Sequence, residues 1–121
     1  MTKRILVVED QEDNRQIMND LLTDAGYQVI EAKDGHAGVS AAEAERPDLI
    51  LMDIQLPGLD GYAATRRIKA NAELAAIPVI AVTSYALSGD DQKAIEAGCD
   101  AYFAKPVSPR ELLATIREYL S

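Results

Sequence analysis

Three short apolar runs in this sequence end in side chains that carry chemistry. Leu49-Ile50-Leu51-Met52 ends in Asp53, Ile5-Leu6-Val7-Val8 in Glu9-Asp10, and Val79-Ile80-Ala81-Val82 in Thr83-Ser84. Runs of this kind read as buried strands, and a carboxylate placed where such a strand stops is costly to desolvate unless something uses it. In open parallel α/β sheets, ligands bind outside the carboxyl ends of the strands. If the three ends converge, three carboxylates meet. They repel one another, and ionising all of them is unfavourable unless a cation neutralises them. All-oxygen ligands favour a hard ion, and a site that keeps several waters favours magnesium.

Two further residues fit such a site. Lys105 follows a fifth apolar stretch and could balance the acids or hold an oxyanion; Thr83 could donate its hydroxyl beside a phosphorylated carboxylate. Each residue also has a plainer reading. Glu9-Asp10 could be a solvated loop, with Asp10 or Asp13 capping the next helix. Lys105 could be a solvated lysine and Thr83 an ordinary strand former. The Lys105-Pro106 bond is open to either isomer, because proline removes most of the trans preference. His36 reads as a surface residue, and Cys99 as a small packing residue.

Positioning these groups requires strands that alternate with helices, and the pattern supplies them. The expected strands are Arg4–Val8, Gln28–Ala32, Leu49–Asp53, Val79–Thr83 and Ala101–Ala104. The first, third and fourth are almost continuously apolar, as central parallel strands covered on both faces are; the second alternates, which suits an edge. A first helix should bury Ile17, Leu21 and Ala25, with Met18 and Leu22 beside them, and end at a left-handed Gly26. A second covers about Gly35–Glu45, ending before Pro47. A third starts at the N-cap Asp60 and runs to about Lys69. A fourth ends at Gly98, with Ser84 and Ser88 as competing N-caps. The fifth opens on Ser108, Pro109 and Glu111, an N-cap, first-turn proline and capping box, and buries Leu112, Leu113, Ile116 and Leu120. Five strand–helix units in succession predict a parallel sheet with right-handed crossovers.

Composition bounds the function. The chain has 121 residues, 48% of them hydrophobic and 26% charged, which fits one domain spanning residues 1–121. The net charge of −8 argues against nucleic-acid binding, and Arg66-Arg67-Lys69 reads as a solvated helix face. One cysteine excludes an internal disulfide. No run reaches the length of a membrane span and no signal peptide leads the chain, so a cytoplasmic location is expected.

Taken together, Glu9-Asp10, Asp53 within Leu-Met-Asp-Ile-Gln-Leu-Pro-Gly-Leu-Asp-Gly, Thr83 within Val-Thr-Ser, and Lys105-Pro106 resemble the receiver domain of two-component response regulators. The resemblance covers essentially the whole chain. It is strongest to stand-alone, DivK-like cell-cycle receivers and to receivers of hybrid kinases. It implies a flavodoxin-like (βα)5 fold with strand order 2-1-3-4-5. It also implies that Asp53 accepts a phosphoryl group from a phosphohistidine on a histidine kinase or phosphotransfer protein. Glu9, Asp10, Asp53 and the backbone carbonyl of Gln55 would hold magnesium. Lys105 would pair with the phosphoryl oxygens, Thr83 would hydrogen-bond to one of them, and Tyr102 would turn inward as Thr83 moves. The face formed by the fourth helix, fifth strand and fifth helix would then shift and change binding of a downstream protein. Gln55 and Tyr85 occupy the variable positions that tune phosphoryl lifetime in receivers. Asn14, Arg15 and Met18 lie near the expected kinase-docking surface. A monomer is expected, with weak dimerisation through the last two helices left open.

Three rivals have specific marks against them. A haloacid-dehalogenase-type phosphohydrolase places a second aspartate two residues beyond the nucleophile and the nucleophile on the first strand; here Gln55 takes that position and Asp53 ends the third strand. A nucleotide-binding module needs a glycine-rich phosphate loop after the first strand, and none is present. A receiver that only docks would not need Glu9, Asp10, Asp53, Thr83 and Lys105 together.

Overall fold

The strands and helices alternate five times, and the strand boundaries match those expected. In the computed structural model, which describes residues 2–83 and 90–120, they are β1 (Arg4–Val8), α1 (Glu12–Asp24), β2 (Gln28–Ala32), α2 (Gly35–Glu45), β3 (Leu49–Asp53), α3 (Gly61–Ala70), β4 (Val79–Thr83), α4 (Asp90–Ala97), β5 (Ala101–Ala104) and α5 (Pro109–Leu120). All strand pairs are parallel, in the order β2-β1-β3-β4-β5. This is the flavodoxin-like arrangement implied by the resemblance to receiver domains; the alternation itself predicted the parallel sheet. Ser84, Tyr85, Ala86 and Ser88 lie outside the described residues.

Strand alternation divides the core into two layers. Ile5, Val7, Leu49, Leu51 and Ile80 face one side and pack with Leu22 of α1 and Leu112 and Ile116 of α5. Leu6, Val8, Ile50, Met52, Val79 and Ala81 face the other and pack with Ala42 of α2, Ala64 and Ile68 of α3, and Ala94 of α4. β3 and β4 are buried along their full length, β2 only at one end, and β5 is half-buried throughout. The continuous apolar runs are therefore the central strands.

Helix ends follow local chemistry. Asp34 and Asp60 cap α2 and α3 by accepting from the backbone N–H groups of Ala37 and Ala63. Ser108 accepts the Glu111 N–H at the start of α5. Gly26 takes a positive φ of 97° just after α1. For α1 the plainer reading of the acids fails and the expected buried stripe is corrected. Its N-cap is Gln11, which makes no side-chain capping bond, so neither Asp10 nor Asp13 caps this helix. Ile17 is 65% exposed and Ala25 is exposed as well, while Leu22 is fully buried and Met18 and Leu21 pack at the core edge. The apolar stripe on α1 is wide enough for two orientations, and the sheet takes the side centred on Leu22.

The lower edge of the sheet, away from the carboxyl strand ends, is tied by Lys69. Its ammonium donates to the carbonyls of Ala75 and Ile77 and to Asp100 Oδ2 at 3.0 Å. Asp100 also accepts the Val79 N–H, and its carbonyl accepts the Tyr119 hydroxyl. One lysine thus joins α3 to the starts of β4 and β5 and to the end of α5.

The upper edge depends on a close approach at Gly61. A methyl group there would overlap the carbonyl oxygen of Asp53 and stand 2.6 Å from the Cα of Ile54. The absence of a side chain lets α3 start directly against the backbone that carries Asp53. Gly61→Ala is expected to cost about 2 kcal/mol in chemical denaturation, as overpacking does. Gly58→Ala meets no neighbouring atom and strains only a φ of 72°, so it should cost about 1 kcal/mol. Equal costs for the two substitutions would refute the packing role of Gly61.

Candidate functional site

β1, β3 and β5 all deliver charged groups to the same sheet edge and the same side. The Glu9 N–H continues the ladder to the Ala32 carbonyl, the Ile54 N–H to Val82 and the Lys105 N–H to Thr83. The ladder thus holds the chain at Glu9 and Lys105 beyond the ends of their strands, and the chain just past Asp53. Alternation puts Glu9, Asp53 and Lys105 on the α1/α5 side. Lys105 Nζ lies 3.0 Å from Glu9 Oε1 and 3.6 Å from Asp53 Oδ2. The remaining oxygens are also held: Gln11 N–H donates to Glu9 Oε2 at 3.0 Å, and Gln55 N–H to Asp53 Oδ1 at 3.1 Å.

Asp53 is 5% exposed and Glu9 6% exposed, whereas Asp10 stands in solvent. Their proton affinities split accordingly. Burial pushes the Asp53 carboxyl up to about 6, reinforced by the adjacent Glu9 and opposed by the Gln55 N–H and by Lys105. Burial works in the same direction on Glu9, but the Gln11 N–H and Lys105 outweigh it and hold its carboxyl below the ordinary value. The Asp10 carboxyl, though largely exposed, is also raised, by partial desolvation where it meets the site and by the nearby Glu9. Asp53 therefore remains ionised at neutral pH with a basicity above that of an ordinary aspartate.

The donor set fits a hard cation. One oxygen each from Glu9, Asp10 and Asp53 can be drawn such that all lie within 4.8 Å of one another, and a single lysine offsets three carboxylates. Two negative charges are left over, on oxygen donors alone, one of them solvent-facing; this suits an ion that keeps part of its water.

Thr83 and Tyr102 lie on the other side of the sheet. Thr83 is buried at the end of β4, on the α2-α3-α4 side by alternation, and Tyr102 is half-buried against the core layer beneath α4. In the β4–β5 register Tyr102 pairs with Ala81, one pleat below Thr83. The two expected switch residues thus share a face, across the sheet edge from the carboxylates. The Lys105-Pro106 bond is cis.

A cleft of about 470 Å³ opens from the carboxylates between α1 and the segment after β5. Asn14, Ile17 and Met18 form one rim and Pro106 and Val107 the other, with Glu9, Asp53 and Lys105 among its lining. Of the three residues expected at a docking surface, Asn14 and Met18 line this cleft. Arg15 instead turns inward: its side chain is 11% exposed and bonds to the Glu9 carbonyl and to Glu31. Ile17, read from the sequence as core, is the residue missed; its place at one edge of the helix stripe was the only signal.

Comparison with known proteins agrees with this geometry. A family model described as the response regulator receiver domain matches residues 5–117. The polar-differentiation response regulator DivK of Brucella ovis is 43% identical over 120 residues, covering 99% of this chain and 98% of that protein. The receiver domain of a Pseudomonas aeruginosa sensor histidine kinase, solved with a magnesium ion coordinated in its active-site cleft, is 40% identical with a TM-score of 0.92, covering 99% of this chain and 98% of that one. A CheY-like response regulator receiver domain protein from Methanospirillum hungatei superposes with a TM-score of 0.92 at 34% identity, over 99% and 94% of the two chains.

The raised Asp53 carboxyl has a stability consequence with a definite sign. The folded state holds this proton more tightly than the unfolded chain, so the contribution is full below pH 4 and lost as pH rises through about 6. Asp53→Asn stays neutral throughout. In chelator it should be more stable than the wild type at pH 8 by on the order of 2 kcal/mol, the gap narrowing as pH falls below about 6 and closing near pH 4. Adding magnesium at pH 8 should raise the wild-type Tm more than that of the variant. Thermal melts across pH check both; a variant no more stable than wild type at pH 8 contradicts the burial argument.

Proposed function

The chain belongs to the response regulator receiver domain family, and from that premise we propose that it is a phosphorylation switch whose acceptor is Asp53. The observation that carries this reading is one buried carboxylate, 3.6 Å from a lysine and grouped with two further acids, where burial favours a raised proton affinity.

The proposed step is transfer from a phosphohistidine of a histidine kinase or phosphotransfer protein. A carboxylate oxygen of Asp53 forms a bond to phosphorus as the phosphorus–nitrogen bond breaks, and the imidazole leaves with its electron pair. Such transfers need alignment and charge neutralisation more than covalent help from the protein. The Gln55 N–H orients one Asp53 oxygen and keeps the carboxylate from rotating freely. Lys105 sits between Glu9 and Asp53, and a phosphoryl group on Asp53 offers it three more oxygens within reach of the same ammonium. Glu9, Asp10, Asp53 and the Gln55 carbonyl are the groups we assign to magnesium, which when bound supplies positive charge against the phosphoryl oxygens. The partner would approach over the cleft rimmed by Asn14, Ile17 and Met18.

Output follows from the two-sided arrangement. A phosphoryl group on Asp53 draws the Thr83 hydroxyl toward the sheet edge, and the space it vacates lies on the face where Tyr102 packs. The α4-β5-α5 surface would then change its shape for a downstream protein. We place the protein in the cytoplasm; none of the helices is long and apolar enough to cross a membrane among the described residues.

Intact-mass measurement after incubation with magnesium and a small phosphoryl donor tests the acceptor. The wild type should gain one phosphoryl mass; Asp53→Asn should gain none, and chelator should abolish the gain. Lys105→Ala should slow the gain on the order of a hundredfold. An equal adduct on Asp53→Asn would remove Asp53 from the role, and no adduct on wild type would favour a receiver that only docks. For the output, amide exchange across α4, β5 and α5 should change on adding a phosphoryl analogue with magnesium; unchanged exchange there would sink the switch.

A further inference from the structure

Arg15 does something at the site that neither the fold nor the acceptor chemistry requires. Its Nη1 donates to the Glu9 carbonyl at 2.9 Å, and its Nε lies 3.3 Å from Glu31 Oε1 on β2. Glu31 is held from its other oxygen by Asn19 Nδ2 at 2.6 Å. Arg15 and Asn19 stand one turn apart on α1, so helix and edge strand together aim the guanidinium at a single carbonyl.

That carbonyl is at a break in the sheet. The Glu9 N–H donates to Ala32, the last residue of β2. In a parallel ladder the Glu9 carbonyl would next accept from the residue two further along that strand, but β2 has already ended. Arg15 supplies the donor that the strand does not. The group so fixed is the peptide that joins Glu9 to Asp10, two of the three acids. The Glu9 carboxylate has its own anchors, Gln11 and Lys105. Asp10 is exposed, and the peptide whose carbonyl Arg15 holds is the one that supplies its backbone nitrogen.

We propose that Arg15 is a positioning residue for divalent-cation binding, acting through the Glu9-Asp10 peptide to orient the Asp10 carboxylate. The inference rests on the metal assignment made above. The sign of its effect separates it from simple electrostatics: removing a cation near three acids should strengthen magnesium binding, whereas releasing Asp10 should weaken it.

Magnesium titration by calorimetry on the intact protein tests this. Arg15→Met should raise the magnesium Kd about tenfold, as loss of a group that orients a ligand does. Arg15→Lys keeps the charge but not the fork and should fall between Arg15→Met and wild type; it also serves if Arg15→Met does not fold. In an Asp10→Asn background, Arg15→Met should change the Kd less than threefold, since the group it orients is already lost as a ligand. Unchanged or tighter magnesium binding in folded Arg15→Met, or an equal tenfold loss in the Asp10→Asn background, overturns the proposal. If the wild type binds no magnesium, the metal assignment itself fails and this inference with it; wild-type binding with an unaffected Arg15→Met leaves the assignment standing and overturns only the role of Arg15.

Discussion

Everything at the upper edge of this sheet depends on one lysine shared by two buried carboxylates. Lys105 stands 3.0 Å from Glu9 and 3.6 Å from Asp53, both nearly excluded from water. Two like charges this close and this dry cannot both be stabilised by one ammonium. The closer contact goes to Glu9, which also takes the Gln11 N–H, and its carboxyl falls below the ordinary value while that of Asp53 rises to about 6. Neighbouring carboxylates with proton affinities driven apart mark distinct chemical roles. Here the geometry makes Asp53 the more basic and Glu9 the more firmly ionised.

The sheet makes that cluster attainable. A parallel strand covered on both faces exposes polar groups cheaply only at its ends, and its carboxyl end is where the next loop turns away. The ladder extends past β1 and β5 to fix the backbone of Glu9 and Lys105, so their placement inherits the rigidity of the strands. Alternation then sorts the residues by side. The charged groups face α1 and α5, and Thr83 and Tyr102 face the layer that contains α4. An event at Asp53 is thus one strand away from a surface on the opposite face, with no long chain of intermediaries between them.

The sequence made the sheet and its carboxyl edge legible because both follow from local pattern: apolar runs of five, acids and a hydroxyl at their ends, and caps such as Asp60 and Ser108. Glu9, Asp10, Asp53 and Lys105 could be named on that basis, and the structure brings them together. What local pattern could not supply was the orientation of amphipathic elements and the partners of long charged side chains. α1 carries apolar residues at 17, 18, 21 and 22, and only docking onto the sheet decides that Leu22 goes in and Ile17 stays out. Arg15 looked like a surface residue because its partner Glu31 lies on another element. The Lys69–Asp100 tie spans 31 residues and was equally invisible.

These long-range contacts divide the molecule in a way the core does not. Lys69 gathers carbonyls and a carboxylate at the lower edge, away from the carboxylate cluster, and its bonds serve cohesion. At the upper edge the corresponding contacts each hold one part of the carboxylate cluster: Gly61 admits α3 against the Asp53 backbone, the Gln55 N–H fixes one Asp53 oxygen, and Arg15 holds the Glu9 carbonyl. None of these is a core contact, and none is part of the strand ladder. The strands determine roughly where the acids stand, to the width of a pleat, and these few bonds determine the last ångström. Chemistry that works by alignment and charge is sensitive at that finer scale. Damage to the core should therefore first appear as lost stability, and damage to the Gln55 and Arg15 bonds as altered chemistry in a protein that still folds.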